Sequence, residues 1–199
     1  MAVVHPYVDL ETLRLQLKFE DDDPREVLLE RALNAACRSI DKTTGRRFWL
    51  DGEPVTRTYR TQGRVVREDD GEVLLVDDIG DADIVVTTGA GDSWSPVTGF
   101  ETVPDNALAD GRPVTGLLMT GGMWSWGTTG RVRVTARFGW PAVPEDISEA
   151  ALIQASRLYN RRNSPEGVTG SAEWGVVRLS RRDPDVWNLI EQYLLTGFG

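Results

Sequence analysis

The stretch PEDISEAALIQASRLYNRR, residues 144–162, reads as a helix from end to end. Pro144 suits the first helical position, where its missing N–H costs nothing. Glu145 and Asp146 put negative charge at the positive end of the helix dipole, and Arg157, Arg161 and Arg162 put positive charge at the other end. Ile147, Ala150, Ala151, Ile153, Ala155, Leu158 and Tyr159 form a broad apolar surface. The small residues in its middle (Ala150, Ala151, Ala155, Ser156) invite close approach by a second helix. Asn163-Ser164-Pro165-Glu166-Gly167 then stops it.

The second helix is found upstream. Asp23-Pro24 opens it, with Asp23 as N-cap, Pro24 at the first position and Glu26 at the third. Val27, Leu28, Ala32, Ala35, Ala36, Ser39 and Ile40 make a small and aliphatic stripe, and Gly45 suits the residue after the helix. Two long helices with matched small-residue stripes predict a helical core pair. Ahead of them, Met1 to Pro6 reads as an arm. Asp9 caps a short helix carrying Leu10, Leu13 and Leu17, and Glu20-Asp21-Asp22-Asp23 reads as a solvated loop. In Arg46-Arg47-Phe48-Trp49 the arginines are expected to pair with carboxylates and the aromatics to cap the helical core.

Between these helices the helical period disappears. From Pro54 to Phe138 come β-prone runs, at Val55–Tyr59, Arg64–Arg67, Val73–Val76, Ile84–Thr88, Val97–Thr102, Val114–Met119 and Arg131–Phe138, separated by glycine and aspartate turns. Arg131-Val-Arg-Val-Thr-Ala-Arg-Phe138 alternates strictly, so one face is buried and the other carries arginines. Such spacing suggests a small antiparallel sandwich or barrel. The expected fold is therefore α+β. A helical core of about four helices carries a large inserted β region, with parts at residues 1–52, 53–138 and 139–199.

Beyond the organising helix, Val168 to Ala172 reads as flexible, and Glu173-Trp-Gly-Val-Val-Arg-Leu-Ser180 as a strand or hairpin arm. Asp183-Pro184 repeats the cap-and-proline device and starts a last helix with Val186, Trp187, Ile190, Tyr193 and Leu194 on one side. That apolar side has two readings of equal weight: it closes its own core, or it docks into a groove on a partner.

Composition excludes several classes of function. The chain has 199 residues, 40% hydrophobic and 27% charged, which suits one domain or a domain with a large insertion. No apolar run reaches bilayer length, and Met1 to Tyr7 lacks the regions of a signal peptide. The single Cys37 precludes an internal disulfide framework and reads as a structural thiol, compatible with a reducing cytosol. With one histidine, His5, in the arm, histidine triads, zinc ligand sets and Cys–His pairs have no members. Gly89-Ala-Gly-Asp92 lacks the lysine and hydroxyl of a phosphate loop. Asp77-Asp78-Ile-Gly-Asp81-Ala-Asp83 lacks calcium-loop spacing and reads as turn-forming aspartates. No catalytic, cofactor-binding or metal-ligating residue is assigned, and no enzyme activity is expected. A net charge of −9 argues against nonspecific attraction to nucleic acid, although an acidic protein can wall a channel through which DNA passes. The Met119-Thr-Gly-Gly-Met-Trp-Ser-Trp126 run is either an exposed aromatic loop or a place where Trp124 or Trp126 packs over the sheet.

One resemblance gathers these features. It rests on a helix ending in Thr43-Thr-Gly-Arg-Arg-Phe48, a β insertion, and Phe138-Gly-Trp-Pro-Ala-Val-Pro144-Glu-Asp-Ile-Ser-Glu-Ala150. Arg157-Leu-Tyr-Asn-Arg-Arg-Asn-Ser-Pro-Glu-Gly167, Gly175-Val-Val-Arg-Leu-Ser180 and Arg182-Asp-Pro-Asp-Val186 complete it. The pattern resembles the head-to-tail connector (adaptor) proteins of long-tailed double-stranded DNA bacteriophages, over the N-terminal and C-terminal thirds of the chain. The resemblance implies a structural virion protein, assembled in the host bacterial cytoplasm and resident in the neck at the capsid vertex. It would be a homo-oligomeric ring, usually of twelve copies, beneath the portal protein. Such a ring extends the DNA channel without sequence-specific contact and receives a stopper or tail-completion protein, with no membrane and no cofactor involved. By that analogy Trp187, Ile190, Tyr193, Leu194 and Phe198 dock on the portal. Arg157, Arg161, Arg162, Arg178, Arg181 and Arg182 would lie at the subunit interface or face the channel. The β insertion would be an outward decoration. The rival reading is a free-standing module that holds a glycan or peptide with its Trp-rich β region.

Overall fold

A computed structural model of the chain describes residues 5–19, 25–124, 130–161 and 183–195, together with the backbone of two short strands at 168–169 and 177–178. The fold is α+β, and the chain divides into two compact units, Met1–Arg46 with Val143–Gly199, and Arg47–Ala142.

The first unit is helical. Its elements are α1 (Leu10–Leu17), α2 (Glu26–Thr44), α3 (Glu145–Arg161) and α4 (Pro184–Ile190), with a 3₁₀ turn at Glu191–Tyr193. Asp9 caps α1 as its sequence predicts, accepting the Thr12 N–H at 2.7 Å. That backbone hydrogen bond holds its carboxyl below the usual value, because the charged form is the better acceptor. Gly45 ends α2 at φ 72°, a left-handed conformation that glycine adopts without a Cβ penalty. Asp23 and Pro24 lie outside the described residues, and the helix itself begins at Glu26.

α2 and α3 pack together as the small residues suggested. Ala150, Ala151 and Ala155 are fully buried, and Ala32 and Ala36 are buried on α2. The buried face of α2 differs from the expected one. It runs Leu29, Ala32, Leu33, Ala36, Cys37, Ile40 and Thr44, while Val27, Leu28 and Ala35 point to solvent. The face is centred about one residue further on, because Leu33 and Cys37 supply the i, i+4 line and Val27 and Leu28 precede the contact. Cys37 sits in the middle of this seam, and burial pushes its thiol up from its usual value, as an inert structural residue requires.

Asp183 caps α4, accepting the N–H groups of Asp185 at 3.0 Å and Val186 at 3.5 Å, with Pro184 in the first turn. It also pairs with Arg157 of α3 at 3.2 Å. Asp183→Ala is expected to cost about 1 kcal/mol, the usual worth of a cap, read as a lower denaturant midpoint; an unchanged midpoint would discount the cap. Downstream, Val168–Thr169 (β9) pairs antiparallel with Val177–Arg178 (β10).

The second unit holds two four-stranded antiparallel sheets, neither closed into a barrel. β1 (Val55–Arg60), β8 (Arg131–Ala136), β4 (Val85–Ala90) and β5 (Ser93–Val97) lie in the order β1-β8-β4-β5. β2 (Val65–Glu68), β3 (Gly71–Ile79), β7 (Val114–Thr120) and β6 (Glu101–Val103) lie in the order β2-β3-β7-β6. Both contribute to one core, in which Leu74, Ile79 and Leu117 of one sheet meet Val132, Val134 and Val86 of the other, with Phe138 and Trp124. The alternation in β8 holds: Val132, Val134 and Ala136 are buried, and Arg131, Arg133 and Thr135 are not.

Three expectations are corrected in this unit. The run Val97–Thr102 is two strands, because Gly99 at φ 87° turns the chain between β5 and β6. Asp77 and Asp78 lie within β3, where the register shifts between Leu75 and Ile79, and they are held there by side chains from distant strands. Phe48 belongs to this unit, fully buried with its ring centroid 5.2 Å from that of Trp140.

The two ends of this unit's chain are tied to each other. Asp51 N–H donates to the Phe138 carbonyl at 2.9 Å, Arg137 Nε donates to the Asp51 carbonyl at 2.8 Å, and Arg47 pairs with Asp51 at 2.6 Å. An inserted unit needs its entry and exit held together, and these contacts do that.

Candidate interaction surfaces

The sequence pointed first to α4 and the residues after it. Val186 and Ile190 are 8% and 4% exposed, and α4 packs on α3. Ile190 therefore serves the helical unit's own core. Trp187, Tyr193 and Leu194 are half-buried, and Tyr193 Oη donates to Asp146 Oδ2 at 3.2 Å. The chain then runs against the end of α2: Arg46 Nε donates to the Tyr193 carbonyl at 2.9 Å and Leu195 N–H to the Thr44 carbonyl at 2.9 Å. This leaves the Leu195 side chain 50% exposed. Phe198 lies outside the described residues. Val186 and Ile190 thus close the helical unit's own core, and Leu195, beyond the helix, is exposed.

Of the arginines expected at an interface, Arg157 is paired with Asp183 inside the chain and Arg161 is exposed in the last turn of α3. Arg178 contributes backbone to β10, and Arg162, Arg181 and Arg182 lie outside the described residues.

A surface the sequence reading did not assemble lies on the β1-β8-β4-β5 sheet. Directly opposed residues of antiparallel strands share a face. The register puts Thr56, Thr135 and Val85 in one row and Thr58, Arg133, Thr87 and Pro96 in the next. The third row is Arg60, Arg131, Gly89 and Trp94. Thr56 and Thr135 hydroxyls meet at 2.7 Å, and the Arg133 guanidinium lies 3.7 Å from the centre of the Trp94 ring. None of the four strands contains a single Asp or Glu. Arg60 and Arg131 stand directly opposite each other, and no ion pair to a carboxylate forms at either among the described residues.

At the edge strand β1 lies an open cleft of about 520 Å³, which Thr58 and Arg60 reach from this face and Arg57 and Tyr59 from the core-facing side of the strand, with Arg64 and one carboxylate, Asp77. Asp77 Oδ2 accepts from Arg57 at 2.8 Å and from Tyr59 Oη at 3.1 Å, and Asp77 Oδ1 lies 3.5 Å from Arg64. Arg57 stacks 3.9 Å from the centre of the Phe138 ring and Arg64 5.1 Å from that of Tyr59. Burial and the neighbouring Asp77 charge push the Tyr59 hydroxyl well above its usual pKa, so it remains a neutral donor. Three guanidinium groups against one carboxylate leave the cleft cationic in a chain whose net charge is −9.

The Trp-rich run is not a platform of exposed rings. Trp124 is fully buried, its Nε1 donating to the Leu117 carbonyl at 2.8 Å and its N–H to Glu72 at 2.8 Å. Trp126 lies outside the described residues. Among the described residues no group of three or more His, Cys, Asp or Glu is placed to hold a metal ion, and no helix is long and apolar enough to cross a membrane.

No protein-family model matches the sequence, and no curated protein matches it. Solved structures do match. The fold is similar to that of chains in gene transfer agent particles. One match is to a chain in the neck of an empty particle computed with C6 symmetry, with TM-score 0.58 and 21% identity over 100% of this chain and 97% of the other. A second is in the virion of the native gene transfer agent particle, with TM-score 0.56 and 22% identity over 97% and 94%. A third is in the neck of the native particle computed with C12 symmetry, with TM-score 0.54 and 21% identity over 100% and 97%. At these identities the likeness is one of fold, and it spans the helical and the β unit alike.

Proposed function

We propose that this chain is a structural neck protein, a head-to-tail connector of the adaptor type. It forms a ring beneath the portal, continues the DNA channel and receives a stopper or tail-completion protein. The observation that carries the reading is the whole-length likeness to chains from particle necks and a virion, including two necks computed with C6 and C12 symmetry. The motifs that resemble phage adaptors support it from the sequence side. On this reading the chain has no catalytic role, and it resides in the virion neck.

The portal contact is assigned to the segment after α3. Trp187, Tyr193 and Leu194 flank Leu195, whose exposed side chain is the anchor. Ile190 takes no direct part, because its own unit covers it. Removing residues 184–199 would strip Val186 and Ile190 from the helical core, so deletion confounds docking with folding. Substitution at an exposed position is the cleaner test. Leu195→Asp, at a side chain that also lies against Gly45, should lower the unfolding temperature only slightly and lower incorporation into portal-bearing heads about tenfold or more, the scale of a lost hot-spot anchor. Normal incorporation of that variant would reject the assignment, and absence of wild-type rings from such heads would reject the adaptor reading itself.

A further inference from the structure

We propose that the arginine-bearing face of the β1-β8-β4-β5 sheet, with the cleft beside β1, receives the acidic β2–β3 hairpin tip of a neighbouring copy of this chain. The inference deepens the neck reading and rests on its cyclic arrangement.

The receiving face is incomplete as it stands. Like charges directly opposite on neighbouring strands are destabilising, yet Arg60 faces Arg131 with no carboxylate anywhere on the four strands. The surrounding side chains are Thr56, Thr58, Thr87 and Thr135, whose hydroxyls donate readily to a carboxylate. The Arg57 and Arg64 guanidiniums at the adjoining edge are already held by Asp77 and by aromatic rings, so little side-chain freedom is lost when an anion arrives.

The complementary surface is on the same chain. Glu68 ends β2 and Asp69 and Asp70 form the turn into β3; all three are exposed, and β2 is an edge strand. No hydrogen bond or ion pair of their side chains occurs among the described residues. Three unpaired carboxylates on one part of the unit thus match an acid-free, arginine-bearing face on another. A patch and its complement on different surfaces of one chain make a head-to-tail contact, the kind that closes rings. Double-stranded DNA is the rival polyanion for this face, and gel retardation, read beside self-association, separates the two.

The test uses the full-length protein with reciprocal charge reversal. One variant carries Arg60→Glu and Arg131→Glu, a second carries Glu68→Arg, Asp69→Arg and Asp70→Arg, and a third combines all five. Two readouts run together: ring formation on portal-bearing heads by electron microscopy, and self-association of the free protein by sedimentation. Arg60, Glu68, Asp69 and Asp70 are exposed and Arg131 is half-buried, so unfolding temperatures are measured alongside, and Arg60→Glu alone, at an exposed site, should show the same loss without a change in unfolding temperature. Each separate reversal should lower ring occupancy and self-association at least tenfold, and the combined variant should recover both. Raising salt from about 0.05 M to about 0.5 M should weaken wild-type self-association, since the contact is charge-driven. Rings that form on heads regardless of either reversal would overturn the inference while leaving the neck reading intact. So would a combined variant that stays defective, or arginine reversals that abolish only retardation of duplex DNA in a gel. Reciprocal loss and rescue of self-association without any rings on heads would support this contact and reject the neck reading.

Discussion

Trp124→Ala should destabilise the β unit by about 3–5 kcal/mol, with its unfolding temperature lower by about 12–40 °C. Among the described residues Trp124 is the largest fully buried side chain, and it sits in the core shared by both sheets. Truncation removes its apolar surface and leaves a cavity too large for the surrounding strands to fill, since both sheets are held by their ladders. Its backbone N–H is a second anchor. It donates to Glu72, whose carboxylate is 4% exposed and is also bonded by Arg67 Nε at 3.1 Å. Trp124→Phe separates the two contributions of the side chain. It keeps most of the volume but loses the indole hydrogen bond to Leu117, and should cost about 1–2 kcal/mol beyond the small loss of ring area. Denaturant titration with one probe in the β unit measures both. A loss below about 1 kcal/mol for the alanine variant would mean that the indole does not fill the core.

This residue also shows where the sequence is legible and where it is not. Met123 and Trp124 are neighbours in a glycine-rich run, yet one is exposed and the other fully buried. Nothing local separates them; the difference is made by Leu117 and Glu72, which lie 7 and 52 residues away. By contrast Asp9, Gly45 and Asp183 were readable as caps because a cap acts on its own first or last turn. The arginine alternation in β8 was readable for a similar reason, as strand period is local. That Arg131 would stand opposite Arg60, from the far end of the unit, was not readable, although the lack of any acid in β1, β4, β5 and β8 was there to be noticed. On α2 the misplaced face has a related cause. Alanine and serine lie on both sides of the helix, so the contrast that marks a buried stripe is weak, and exposed Val27 and Leu28 pulled the reading round. Asp77 and Asp78 looked like turn residues because aspartate favours turns. Their strand placement depends on Arg57, Tyr59 and Trp140, which no local pattern connects to them.

Gly139→Ala is expected to be comparably severe, at about 4 kcal/mol, for a different reason. Gly139 has φ 116°, a conformation that residues with a Cβ rarely adopt, and a Cβ there would run into the Trp49 carbonyl. The obstructing atom is backbone, so no rotamer change relieves it. Strain of about 1–3 kcal/mol and overpacking of about 1–3 kcal/mol act together. The site lies where the first and last segments of the β unit are zipped: Gly139 N–H donates to the Asp78 carbonyl at 2.7 Å, beside the Asp51–Phe138 and Arg137–Asp51 bonds. Gly80 is also tight, though less so, since a Cβ there would meet the Gly139 carbonyl at 2.9 Å. Separating these two segments frees both ends of the inserted chain, so the loss should appear as early unfolding of the β unit. Hydrogen exchange at Asp51, Gly80 and Gly139 reports it directly, because their N–H groups make the closing bonds. Gly121→Ala is the matched control. It also has a positive φ, 63°, but open space around the added methyl, so it bears the conformational strain without the collision and should cost about 1–2 kcal/mol. If the two variants proved equally stable, the close approach of the Gly139 and Trp49 backbones would not be what holds the ends of the insertion together.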